Sequence, residues 1–167
     1  MKHLRPVTFF LVVVMMLAVF TGCNKSPSTE PEDTSVTVTD MTPTDCEILY
    51  AIGAGDMLVG RGEYCDYPAA VKDVPSVQSG YDTNIEQIIA LEPQVLLMST
   101  MAQTEEQVAA LENAGIKVVV SDARDIEGVY TVIQLLAVLM GKETEAHSVI
   151  DSMKATFADV SAKAAGD

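Results

Sequence analysis

From residue 35 onward, short β-rich runs alternate with longer segments of helical period. Ser35-Val36-Thr37-Val38-Thr39 alternates strictly between polar and apolar, the pattern of a strand with one buried face. Thr44 and Glu47 have capping-box spacing ahead of Ile48-Leu49-Tyr50, which predicts a helix to about Ile52, ended by Gly53 and Gly55. Met57-Leu58-Val59-Gly60 then reads as a buried strand. Thr83 with Glu86 predicts a second helix through Ile88, Ile89 and Leu91, until Pro93 stops it. Val95-Leu96-Leu97-Met98 is apolar throughout, as expected of a parallel strand covered on both faces. Thr104 with Gln107 opens a third helix, which Gly115 closes. Lys117 to Val120 predicts another strand, and Ile126 to Met140 an amphipathic helix closed by Gly141. A last helix begins near Thr144, with Ile150, Met153 and Phe157 on one side.

Strands separated by helices of this length predict an α/β fold, a parallel sheet flanked by helices. Ligands of such sheets sit at the carboxyl ends of the strands. The loops that matter are therefore Arg61–Pro68, Ser99–Gln103 and Ser121–Asp125.

The first 34 residues follow a different pattern. Lys2, His3 and Arg5 precede an apolar run from Val7 to Phe20, then Thr21-Gly22-Cys23. A basic start, a short apolar stretch and a small residue at the cut describe an export signal, and the run is short for a membrane span. Gly22-Cys23 resembles a bacterial lipobox, which would make residues 1–22 a signal peptide and Cys23 a lipidated first residue. Residues 23–34, rich in Ser, Pro, Thr and Glu, read as a flexible tether. This apolar segment inflates the mean hydropathy of +0.24. The formal net charge of −14 excludes a nucleic-acid surface and disfavours adhesion to anionic lipid by charge, so the membrane is reached through the lipid anchor only.

No catalytic constellation appears, and an enzyme is not expected. His3 and His147 are the only histidines, and neither has a nucleophile at a telling spacing. Cys46 and Cys65 lack CxxC spacing and a nearby histidine, so no metal site is expected. Outside the cytoplasm they can pair or remain two buried thiols, and sequence leaves both open. Glu63-Tyr64-Cys65-Asp66-Tyr67-Pro68 places two tyrosines and two acids in a loop leaving a strand end. Tyrosine offers a broad apolar face with a polar tip, suited to gripping a bulky, partly polar ligand without bonding to it.

Several segments, in order, resemble the cobalamin- and ferric-siderophore-binding proteins of bacterial ABC importers. They are Pro43 to Ala54, Leu58-Val59-Gly60, Tyr64-Cys65-Asp66-Tyr67-Pro68, Asn84 to Val95, and Ala114 to Val119 with Asp122. The resemblance implies the Rossmann-like N-terminal lobe of a class III periplasmic binding protein over residues 35–142. Residues 143–167 would begin the long helix that joins two such lobes, and the C-terminal lobe would be absent. It implies a monomer that captures cobalamin or another corrinoid, with a ferric siderophore or haem as alternatives, and delivers it to the importer's permease subunits. Tyr64 matches a tyrosine that lines the site in the family's cobalamin binders, and Asp66, Tyr67, Tyr81, Thr44 and Ser99 complete the candidate set. Glu86 matches a glutamate that docks on arginines of the permease. Where known cobalamin binders stack tryptophans on the ring, this chain has Gly80, with Tyr81 beside it, and Ser99. Relatives also insert a hairpin and a central strand where Asp40-Met41-Thr42 here runs straight into Pro43. The resemblance therefore predicts a sheet lacking its central strand, with exposed edges.

Overall fold

A computed structural model describes residues 36–80, 82–100 and 104–166. The export signal, Cys23, the tether, Ser35 and Tyr81 lie outside the described residues. Among the described residues, five strands and five α-helices follow in the order β1 (Val38–Asp40), α1 (Pro43–Ala51), β2 (Leu58–Gly62), β3 (Ser76–Val77), α2 (Ile85–Ala90), β4 (Val95–Met98), α3 (Glu105–Asn113), β5 (Lys117–Val120), α4 (Ile126–Met140) and α5 (Glu143–Ala165). All strands pair in parallel in the order β3-β2-β1-β4-β5. The expected α/β architecture is the observed one. Among the described residues, no helix is long and apolar enough to cross a membrane.

The centre of the sheet is not missing, which corrects the expectation above. β1 pairs with β2 through Val38↔Leu58 on one side and with β4 through Val38↔Val95 on the other. The segment read as a strand with one buried face is thus the central strand, and Val38, Thr39 and Asp40 are all fully buried. Pairing is shifted between Val38 and Thr39, so Thr39 sits opposite Gly60. There a side chain would not fit: a Cβ on Gly60 would stand 2.4 Å from Leu91 Cδ1 and 2.8 Å from Thr39 Oγ1.

Two apolar clusters cover the two faces of the sheet. Val95 and Leu97 of β4 join Leu49, Ile133, Leu136 and Ile150 of α1, α4 and α5. Leu96 and Met98 point the other way, to Ile88 of α2 and Leu111 of α3. The alternation along β4 is what a doubly covered parallel strand requires. α5 is buried only near its start. Ile150 is buried and Met153 half-buried, but Phe157 is 49% exposed, so the predicted apolar stripe packs over part of its length.

Helix ends differ from the spacing-based reading at two places. α1 is preceded by Thr42 with Pro43 in its first turn, which places Thr44 inside the helix and removes it as a cap. α2 is capped by Asn84, whose Oδ1 accepts from Gln87 N at 3.0 Å, while Thr83 Oγ1 donates to Gly80 O at 2.7 Å. The Thr104–Gln107 capping box forms with both bonds, and Gly141 ends α4 with φ 64. β3 and a 3-10 turn at Ala69–Asp73 had no predicted counterpart.

Candidate functional site

Because every strand runs the same way, the loops after β1, β2, β4 and β5 open on one edge of the sheet. That edge carries Thr44, Tyr64, Asp66, Tyr67 and Ser99, each within a few residues of a strand end. Tyr64 and Tyr67 are 67% and 65% exposed, far more than apolar rings of that size ordinarily are. Thr44, Glu63 and Asp66 are exposed as well, and Ser99 is half-buried. Glu86 stands exposed in the first turn of α2.

The tyrosine loop is held by its backbone. Cys65 N donates to Gly62 O at 3.1 Å, Arg61 Nη1 donates to Cys65 O at 3.1 Å, and Arg61 Nε donates to Val74 O at 3.2 Å. The Tyr67–Pro68 peptide is cis. Cys65 is buried beneath the loop beside Cys46 of α1, and both are free thiols. The two thiols are neighbours, a contact that sequence alone could not establish.

Next to this loop lies a group of carboxylates that the sequence did not single out as a unit. Asp40, at the end of β1, accepts from Thr42 N at 2.8 Å, and burial holds its carboxyl well above the usual carboxylate range, with the charge of Asp45 adding to the effect. Asp45 is fully buried in α1 and accepts a hydrogen bond from the Ser121 hydroxyl in the loop after β5. Burial raises Asp45 to about 6, against the Ser121 bond, which lowers it, while Asp122 raises it further. Asp122 accepts from Thr100 N at 3.2 Å and from the Thr100 hydroxyl, tying the loop after β4 to the loop after β5. A cavity of about 260 Å³ lies between these loops, lined by Thr42, Thr44, Asp45, Ser121, Asp122 and Val129. Thr44, Asp122 and the loop from Ser121 carried a signal in the sequence. Asp45 and Ser121 meet through the fold alone.

The edge can therefore present aromatic faces, hydroxyls and carboxylates to a ligand lying across it. Among the described residues, no three His, Cys, Asp or Glu side chains converge on a metal position.

Comparison with known proteins agrees with this arrangement. The uncharacterized ABC transporter substrate-binding lipoprotein YvrC of Bacillus subtilis (strain 168) is 34% identical over 130 residues, covering 76% of this chain and 41% of that protein. The vitamin B12-binding protein of Yersinia pestis (strain Pestoides F) is 29% identical over 126 residues, 75% of this chain and 45% of its own. The chain thus spans less than half the length of these relatives. Among solved structures, the Vibrio cholerae periplasmic vitamin B12 binding protein BtuF matches with a TM-score of 0.69 at 23% identity, covering 78% of this chain and 51% of that one. The periplasmic heme binding protein HutB of the same organism matches with 0.71 at 22% identity, covering 77% and 50%. At such identities the two structures speak for the fold. The periplasmic binding protein family model matches residues 39–167, most of the chain, and the chain belongs to that family.

Proposed function

We propose that this chain captures a corrinoid, cobalamin or a close relative, outside the cell and passes it to the permease of an ABC importer, held at the membrane by lipid on Cys23. The observation that carries this reading is the pair of exposed tyrosines, Tyr64 and Tyr67, projecting beside acids at the ligand-binding edge of the sheet. An aromatic ring left in water on a fixed loop gains free energy when a large flat ligand covers it.

Charge then selects among the chelates. Haem carries two propionates, and ferric siderophores are commonly anionic. Both would meet Glu63, Asp66 and Asp122, exposed carboxylates on an already acidic chain. A corrinoid periphery bears carboxamides, whose N–H groups donate to carboxylates and whose neutrality avoids that repulsion. The naming of a 29%-identical relative as a vitamin B12-binding protein supports the same choice. Tyr81, Thr44 and Ser99 would complete the contacts, and Glu86, exposed at the start of α2, would face arginines of the permease.

Equilibrium titration of the full chain with cyanocobalamin, cobinamide and haemin tests the reading. Both corrinoids should bind more tightly than haemin. Tyr64→Ala should weaken corrinoid binding by about tenfold or more, the cost of losing one aromatic anchor, and Tyr64→Phe should retain most of it. Glu86→Ala should leave the binding curve unchanged. Haemin binding as tightly as cobinamide, or corrinoid binding indifferent to Tyr64→Ala, would sink the corrinoid assignment.

A further inference from the structure

The two cysteines of the lobe come from different elements and meet in its interior. Cys46 belongs to α1, and Cys65 to the loop after β2 that carries Tyr64 and Asp66 on either side of it. Both are fully buried in the same apolar cluster, their thiols are neighbours, and Cys65 Sγ donates to the backbone oxygen of Asp40 at 3.8 Å. Helix α1, strand β1 and the tyrosine loop therefore converge on this pair. Neither thiol has a part in the ligand contacts described above, and no third ligand makes them a metal site among the described residues.

We propose that Cys46 and Cys65 form a disulfide that staples the tyrosine loop to α1. Two neighbouring buried thiols from different elements are the arrangement that a disulfide requires. The bond would close a loop of about 20 residues and fix the backbone on both sides of Cys65. Tyr64 and Asp66 would then be held in place before a ligand arrives, which lowers the ordering cost of capture.

The chemistry is an exchange with an external disulfide, RS–SR. While the loop is open, Cys65 in its thiolate form is the attacking sulfur. Its thiolate attacks one sulfur of RS–SR and releases RS⁻. Cys46 then gives its proton to water, and its sulfur attacks Cys65 in the mixed disulfide, releasing the second RS⁻. Two protons and two electrons leave the two thiols, and the external disulfide becomes two thiols. Since the pair is closed to solvent in the folded lobe, exchange takes place while the loop is open, during folding. Only the supply of oxidant rests on the extracytoplasmic reading above.

The full chain is made by export and, separately, in the reducing cytoplasm. The cytoplasmic product is denatured, reduced and refolded in reduced and oxidised glutathione. Peptide mass mapping after alkylation in denaturant then reads the pairing. The Cys46 and Cys65 peptides should be joined, lighter than the free pair by two hydrogens, in both the refolded and the exported protein. Reducing that bond should lower the unfolding midpoint by about 10 °C. A variant combining Cys46→Ala and Cys65→Ala should show no response to reductant. Joining in glutathione but not after export would keep the pairing and overturn the extracytoplasmic reading instead. Free alkylation of both cysteines in both preparations, or a link from either to Cys23, would overturn the pairing.

Discussion

Leu97→Ala is expected to lower the unfolding free energy by about 2–5 kcal/mol, toward the upper end of that range. Leu97 lies on β4, fully buried, and pairs with Asp40 of the central strand on one side and with Val119 of β5 on the other. Its carbonyl accepts from Met41 N at 3.0 Å, so the backbone beneath it is pinned from both sides. Its side chain belongs to the larger cluster, among Leu49, Ile133 and Leu136. A cavity made there cannot collapse, because the strands around it are fixed by their ladders. Val138→Ala on the outer face of α4, where the side chain is 65% exposed, should change stability by no more than about 0.5 kcal/mol. Urea unfolding measures both: the midpoint should fall for Leu97→Ala with the slope unchanged. Equal effects from the two substitutions would mean that β4 is not the packed interior of the lobe.

Asp45 gives the second large effect, and its sign is opposite to that of a salt-bridged acid. Its folded pKa is about 6 against an ordinary aspartate value of 3.8, so between these pH values the folded state binds more protons than the unfolded one. The associated stability is fully present below pH 3.8 and is lost as pH rises through about 6. A displacement of about two pKa units corresponds to about 3 kcal/mol. Asp40, also held high, pushes in the same direction, so the contrast between wild type and a single variant is what isolates Asp45. Asp45→Asn keeps an oxygen to accept from the Ser121 hydroxyl and carries no charge to bury. It should raise stability at neutral pH by up to about 3 kcal/mol and flatten part of the decline between pH 4 and 6. Urea midpoints of both proteins across that range and at neutral pH provide the test. A variant that is less stable at neutral pH, with the wild-type slope retained, would contradict the assignment.

The contrast between Leu97 and Asp45 also marks what could be read from the chain. Leu97 sits in four consecutive apolar residues, a pattern that only a doubly covered strand explains. The helix 126–140 and its Gly141 terminus were equally legible, since periodicity and a C-terminal glycine are local signals. β1 was not. Its polar Thr39 and Asp40 gave no sign of burial, and in the fold Gly60 makes room beside Thr39 while the Thr42 amide donates to one oxygen of Asp40. The start of α2 was read one residue early, because the turn at Gly80 engages Thr83, leaving Asn84 to cap. The tyrosine loop could be placed at a strand end from its sequence alone. The Asp45–Ser121 bond and the Cys46–Cys65 contact could not, since each joins elements far apart in the chain whose approach only the sheet order determines.

Ligand capture by this edge is tested most directly by thermal unfolding of the full chain, alone and with cyanocobalamin or cobinamide in excess. A ligand present at one hundred times its dissociation constant adds about 2.7 kcal/mol to the folded state, enough to move the midpoint by several degrees. A single cooperative transition that rises with corrinoid, and rises less for Tyr64→Ala, is the predicted result. A cooperative transition whose midpoint no corrinoid moves would contradict corrinoid capture.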